Sequence, residues 1–507
     1  MSAPGGIEDV EAPAGQVRAR IGDQYWFVGT ICALGVGAFT SLALASPLPF
    51  IGLAALLFLA ACAVHPRVAS VSALFLWAGP FATIGASRRV AGFQVDLADV
   101  IVFLAVLGHM VRCRRRGRPM IDLRASSLFV VPLVVFLGVA VFGVVRGLAL
   151  GNARGTASDA LLALSALSAY VLFRITYGRR LRTFAHDIVY VAAAGSLILV
   201  VAAAAGYAPQ LGVVVDTYFT RGVKDTSLRI DAPVQRLSIL GILLVVMGFI
   251  PYRNGSRWRA LALLIPMVAG IGASLTRSTW LPLIAAVIFL PAFMRSGRAI
   301  PWALARRGAA AALALVAALT LGASGLLGDY ARSLAARFLS AGDSDVLQDD
   351  SYQQRLVENV KALSRIAENP VWGIGFPRPY GAFVPWFPEN LNIEVFAIRY
   401  YIHNSYLGLV MYFGLPGVFS LLILGLSILV LARDTVEAKP SHRAVPLACL
   451  GTLAVLALTS SFQTQLGYEP FYLLMATVLA LAEVWRNRER DPLRLSSTSH
   501  RRARYRA

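Results

Sequence analysis

Apolar runs of roughly 15–30 residues recur along almost the whole of this chain, each long enough, or nearly so, to cross a ~30 Å hydrocarbon layer. Fourteen candidate spans can be drawn, near 26–44, 48–64, 68–84, 97–111, 127–145, 158–173, 186–205, 237–250, 260–276, 278–294, 308–327, 404–432, 444–461 and 470–485. Within lipid every backbone N–H and C=O must find a partner inside the protein. The runs lack the strict alternation of a barrel strand, so they read as helices. The expected fold class is therefore all-α: a polytopic transmembrane helical bundle of about 12–14 spans with one large helical external loop. Composition agrees. Of 507 residues, 57% are hydrophobic and the mean hydropathy is +0.66, more than the surface of a water-soluble domain can carry.

Charge then sets orientation. Basic clusters stand at 112–118 (Arg112, Arg114, Arg115, Arg116, Arg118), 174–182 (Arg174, Arg179, Arg180, Arg182), 253–259, 295–307 and after Trp485. With fourteen spans and a cytoplasmic N-terminus, every cluster falls on the cytoplasmic side, as the positive-inside bias requires. The net charge of +20 thus reads as a topology signal with some attraction to anionic lipid. Nucleic-acid binding is not implied, because the basic residues are scattered between spans with no folded reader among them. The expected organisation is a disordered cytoplasmic N-terminus (1–25), a transmembrane bundle of about 11 spans (26–327), an external loop domain (328–403), C-terminal transmembrane helices (404–485) and a basic cytoplasmic tail (486–507). Cys32, Cys62, Cys113 and Cys449 lie in or beside apolar spans, so no disulfide framework is expected.

The long connection 328–403 is the most specific part of the chain. It mixes acids with bases, unlike the Arg-dominated loops of the other side. Leu356, Val360, Leu363 and Ile366 form a stripe spaced by three and four, which predicts a helix around Tyr352–Ala367. Asn369-Pro370 should end it, with Gly373-Ile374-Gly375 as a turn. The stretch after it is rich in aromatics and prolines (Phe376, Tyr380, Phe383, Trp386, Phe387 and their neighbours), which suits the membrane surface, stacking on sugars, or simple packing on the helices. At the end of the loop stands His403-Asn404-Ser405-Tyr406-Leu407, a titratable side chain where a polar loop meets an apolar run. Asn404 and Ser405 are good N-cap residues for the helix behind them. Gly414-Leu415-Pro416 should break or kink that helix.

These segments together resemble the O-antigen ligase and polymerase family. Arg355-Leu356, Ala362-Leu363, Ile366, Asn369-Pro370, Gly373 and Gly375 match its loop signature. His403-Asn404-Ser405-Tyr406-Leu407 with Gly414-Leu415-Pro416-Gly417 resembles its His-Asn-x-x-Leu segment. Thr276-Arg277-Ser278 followed by Trp280-Leu281 is similar to its Ser-Arg turn between two spans. Arg229 stands where the family has an Arg before an Asn-Pro-Asn element, but that element is absent: Arg236, Leu237 and Ser238 occupy its place.

The resemblance implies transfer of a glycan from a membrane polyprenyl diphosphate, such as undecaprenyl diphosphate, to a hydroxyl on the outer face of the cytoplasmic membrane. The residues meet what that reaction needs. Negative charge grows on the diphosphate as the glycosidic bond breaks, and Arg guanidinium forks bind phosphate oxygens in pairs without deprotonating. Arg229, Arg236, Arg277 and Arg355 all fall on the external side by this topology, against the charge bias. Arg277 has almost no loop to carry it into water, and basic residues at membrane depth are functional candidates. His403 is the candidate base for the acceptor hydroxyl, with Glu389 and Glu394 nearby in sequence to orient its ring.

Arginine can neutralise the diphosphate, so neither a metal nor another cofactor is implied. Asp343-Ser344-Asp345 with Asp349-Asp350 has the spelling of a metal-binding Asp-x-Asp but lacks the flanking apolar strand, and reads as a solvated acidic loop. Partners implied are the polyprenyl-diphosphate-linked oligosaccharide, a glycan, lipid or protein acceptor, and membrane lipid. Three activities share these features: polymerisation of lipid-linked repeats, ligase-like transfer of a finished glycan, and transport or flipping without bond chemistry. A transporter would more often hold its ionisable groups at the bilayer midplane in broken helices.

Overall fold

The computed structural model describes residues 57–78, 87–90, 93–115, 117, 128–151, 156–178, 180–204, 214–220, 223–231, 234–249, 256–273, 277–290, 350–376, 402–461 and 469–490. Helices make up its body: α1 (Leu57–Val64), α2 (Pro66–Ala78), α3 (Leu97–Arg115), α4 (Val130–Ala149), α5 (Thr156–Tyr177), α6 (Leu181–Ala204), α7 (Val234–Val246), α8 (Ser256–Ala273), α9 (Arg277–Phe289), α10 (Asp350–Glu368), α11 (Ser405–Phe413), α12 (Leu415–Glu437), α13 (Ala444–Ser460) and α14 (Glu469–Arg490). They follow the apolar runs of the sequence closely, because in lipid an apolar run can satisfy its backbone only by coiling. The spans expected at 26–44 and 308–327 lie outside the described residues.

Two antiparallel hairpins join the helices. One pairs β1 (Ser87–Val90) with β2 (Phe93–Asp96), and the other pairs β3 (Val214–Thr220) with β4 (Val223–Asp231). The second occupies the long 206–236 connection and sets Arg229 opposite Asp216, with a register shift between Asp216 and Tyr218. Among the described residues, α4, Leu181–Val201 of α6 and α12 are long and apolar enough to cross a membrane. The bent pair α1–α2 (119°) makes a fourth candidate, and shorter apolar helices such as α7 and α13 pack among them.

Buried contacts fix the direction of the helices. α6 and α7 are antiparallel: Ser196 Oγ meets Ser238 Oγ at 2.8 Å, while His186 near the start of α6 meets Phe249 beyond the end of α7. The start of α7 lies beside the end of α8, where the Gln235 amide donates to the Gly270 carbonyl at 2.9 Å. α13 and α14 are joined where α13 begins and α14 ends, through His442–Glu489 (2.9 Å) and the Trp485 indole on the His442 carbonyl.

At this end the charged pairs collect. Arg67 binds Asp187 through two contacts of 3.0 and 2.9 Å, and Tyr177 donates to the same carboxylate. Arg174 meets the wholly buried Glu483 at 2.5 Å, where Tyr170 also donates. Arg486 meets Asp434 at 2.5 Å. Arg112 caps the Ala63 carbonyl at 2.6 Å. The basic clusters at 112–115, 174–182 and 256–259 and the Arg-rich end of α14 thus occupy one end of the bundle. A buried charge costs several kcal/mol unless it is paired, and each acid here has its cation or donor.

The opposite end is organised by a break. The run 404–432 is not one helix: it divides at Gly414, whose φ of 62° and ψ of −143° lie in a region open only to glycine. Beyond it the chain folds back, bringing Gly417 against Leu409 and Phe413, and α12 alone makes the long span. Ending α11 there leaves carbonyls without helical partners. The turn that follows α10 supplies them: Ile374 N–H donates to Met411 O (2.8 Å), Gly375 N–H to Tyr412 O (3.1 Å), and Leu415 N–H returns a bond to Val371 O (3.0 Å). The same turn is bound to α4 by Phe376 N–H on Gly143 O (3.0 Å) and by the Arg146 side chain on Gly373 O (2.9 Å). Behind it Phe376, Tyr412, Phe413, Met411 and Ile374 form a small buried core distinct from the main one.

Gly373 has φ 66°, and a Cβ there would run into the backbone of Tyr412. Gly373→Ala should therefore destabilise this end by about 1–3 kcal/mol, lowering the unfolding midpoint in detergent or lipid by several degrees. An unshifted midpoint would show that the turn does not hold the break.

Candidate active site

His403 is carried by the residues just before α11. Asn404 is the N-cap: its side-chain oxygen accepts from Tyr406 N–H (3.1 Å) and Leu407 N–H (3.2 Å), which fixes where the helix begins and so where His403 sits. The Tyr406 hydroxyl donates to Ala457 O near the end of α13 at 2.9 Å. His403 therefore stands at the end of the bundle away from the basic clusters.

Its partner is Glu358, on α10. His403 Nδ1 is 2.7 Å from Glu358 Oε2, and the His403 backbone N–H donates to the same oxygen at 3.2 Å. An oxygen that receives the backbone N–H acts as an acceptor, so the ring proton belongs on Nδ1 and Nε2 is left as the basic nitrogen. The carboxylate is packed away, with 4% of its side chain exposed, whereas the His403 side chain is 34% exposed. A buried acid holding a partly open imidazole in one tautomer is the arrangement a general base requires.

Sequence reading pointed to Glu389 and Glu394 for this role. Both lie outside the described residues, as do Asp343, Asp345 and Asp349, while Asp350 begins α10. The sequence does carry a signal for Glu358. It lies three residues after Arg355 on the same predicted helix, so Arg355 and Glu358 share one side of α10. Arg355 is half-buried there, one turn from the carboxylate that holds His403.

The remaining arginines are at the same end of the bundle. Arg236 is the third residue of α7 and half-buried, beside Gln235 and the end of α8. Arg277 opens α9, four residues beyond the described end of α8. Its neighbour Trp280 is buried with its indole on the Ile271 carbonyl (2.9 Å). Arg229 lies on β4, five residues before α7 begins. The guanidinium groups of Arg229 and Arg277 lie outside the described side chains. In chain position, then, one end of the bundle gathers His403, Glu358, Arg355, Arg236, Arg277 and Arg229, and the opposite end holds the basic clusters. Among the described residues no group of three His, Cys, Asp or Glu side chains could hold a metal ion.

Behind Ser405 and Tyr406 opens a cavity of about 110 Å³ whose lining is almost wholly apolar, including Phe136, Leu409, Leu421, Phe471 and Met475. Its lining offers apolar contacts and few polar partners.

Residues 261–422 match the family model of the O-antigen ligase. The match bears out the resemblance read from the motifs. It includes Arg277, Arg355, Glu358 and His403, and leaves Arg229 and Arg236 before its first residue. No curated protein matches the chain.

Replacing Glu358 tests the pair. Glu358→Gln should lower turnover about 10- to 100-fold, with little change in the apparent KM for donor and with membrane levels unaltered. A fall in protein level at unchanged specific activity would mean that Glu358 only holds α10 in place.

Proposed function

We propose that this chain, whose residues 261–422 match the O-antigen ligase family, is an integral-membrane glycosyltransferase. It takes a glycan from a polyprenyl-diphosphate donor on the outer face of the cytoplasmic membrane and needs no metal. The His403–Glu358 pair, at the bundle end that also carries the four arginines, is the observation on which this reading rests.

The chemistry follows from the residues. The acceptor hydroxyl attacks the sugar carbon bonded to diphosphate, and His403 Nε2 takes its proton. A new C–O bond forms to the acceptor, the C–O bond to phosphate breaks, and the electron pair leaves with the polyprenyl diphosphate. Glu358 stabilises the imidazolium that results. The charge that develops on the leaving diphosphate is met by Arg277 and Arg355, with Arg236 and Arg229 as further phosphate contacts. Oriented arginine forks can do this without a metal ion, since the guanidinium is itself a permanent cation. The apolar cavity behind Ser405 suits hydrocarbon of a lipid-borne substrate.

Sidedness follows from charge. The positive-inside bias assigns the clusters at 112–115, 174–182 and 256–259 to the cytoplasm, which turns the His403 end outward. Polymerisation of lipid-linked repeats and ligase-like transfer of a finished glycan use the same machinery. The motifs are common to both, and the description of the matching family names the ligase.

Surface-glycan length in cells with wild-type or His403→Ala protein at matched membrane levels separates the readings. Collapse to single repeats with accumulated lipid-linked donor marks a polymerase. Full-length glycan stranded on its lipid carrier marks a ligase. An unchanged pattern would remove His403 from catalysis. Arg277→Ala should impair use of the diphosphate donor in the same assay, by about 10²-fold or more in kcat/KM.

A further inference from the structure

Helix α10 has three kinds of surface, and they differ in what they touch. At roughly 100° per residue, Arg355, Glu358, Ala362 and Ile366 fall on one side. This side is packed: Ala362 is fully buried, Glu358 holds His403, and Ile366 joins the small core around Tyr412. A second side carries Lys361, Arg365 and Glu368, with Arg365 and Glu368 paired at 2.7 Å and each nearly half exposed. The third carries Leu356, Val360 and Leu363, which are 41%, 66% and 53% exposed. A water-facing helix seldom leaves such a stripe uncovered.

The apolar stripe does not end with the helix. In the turn beyond it Val371 and Trp372 are also exposed. The Trp372 ring packs against Phe142 of α4, with centroids 5.7 Å apart. Phe142 borders the outward face of that span, where Val131, Val134, Val141, Val145 and Leu148 are exposed along its whole length. On a helix of this length and apolarity such a face is covered by acyl chains. The exposed turn at the end of α10 is therefore set against a lipid-facing surface, and on α10 itself the apolar and charged sides are separate.

We infer that α10 is an interfacial helix whose Leu356, Val360 and Leu363 face is immersed in the acyl chains of the leaflet at the His403 end. The occupant of the apolar face is phospholipid. Helices with one apolar and one charged side lie in this way, buried by about 5–10 Å. The membrane is then a working part of the site, because the helix it seats is the one that presents Glu358 to His403.

A photoreactive benzophenone amino acid at Val360 or at Leu363 reads the neighbour directly, in the full chain reconstituted into phosphatidylethanolamine–phosphatidylglycerol vesicles. Leu426, exposed on α12, serves as the lipid-facing control, and Arg365 as the water-facing one. Phospholipid adducts at Val360 and Leu363 comparable with those at Leu426, and severalfold above Arg365, are expected. Cross-links to a second copy, or to residues 377–401 of the same chain, would overturn the inference. So would the absence of adducts at Val360 and Leu363 while Leu426 labels normally.

Discussion

A break in a helix at the edge of a bilayer must have its backbone groups satisfied by protein. In water a freed carbonyl finds solvent, but near lipid an unpaired one costs on the order of 1–3 kcal/mol or more. The break at Gly414 frees several, and Ile374 and Gly375 supply the N–H groups. Most of the candidate site depends on this one requirement. The turn that meets it is the end of α10, so α10 is tied to the bundle at its C-terminus. Three turns earlier the same helix carries Glu358. The segment after α10 and the segment after His403 are thus brought together by backbone chemistry, and His403 and Glu358 meet because of it.

The distribution of charge follows a different logic at the two ends. At the basic end, cations are paired with acids: Arg67 with Asp187, Arg174 with Glu483, Arg486 with Asp434. Pairs of this kind offset desolvation and add little net stability. They tie α2 to α6, α5 to α14, and α12 to α14, which suits a rigid frame. At the His403 end the chain places arginines at helix starts and in a hairpin, while the buried acid Glu358 is engaged with the imidazole.

Much of this was legible in the sequence because lipid leaves few options. Helix positions followed the apolar runs to within a few residues at α3, α4, α6 and α13. The helix over Tyr352–Ala367, its end at Asn369-Pro370, the turn at Gly373 and the break at Gly414 were all signalled by local chemistry. What sequence could not give was the partner of a pair separated by 45 residues. Glu389 and Glu394 were nearer His403 in the chain, and proximity in the chain is a poor guide where a turn bridges two helices. The hairpin at 214–231 was also missed, since Val214–Thr220 and Val223–Asp231 mix charged with apolar residues and carry no clean alternation. The stripe of Leu356, Val360 and Leu363 lies on a helix as its spacing predicts, but periodicity says only that a face is apolar, not whether protein or lipid covers it.

That distinction bears on how the site works. A general base needs its orienting carboxylate held to within about half an ångström. Glu358 sits midway along a helix of 19 residues that is bonded to the bundle through the turn at one end and packed on it along one side. A helix held in this way can still roll about its own axis, and rolling by one residue, roughly 100°, would carry Glu358 away from Nδ1. An apolar face in lipid opposes the roll, because turning Leu356, Val360 and Leu363 into water costs each about 1–2 kcal/mol on the scale of buried aliphatic side chains. The charged side opposes it in the other direction, since Arg365 and Glu368 would have to enter hydrocarbon. Packing, backbone bonds and the bilayer therefore constrain the same rotation, and the geometry of the His403–Glu358 pair results from all three.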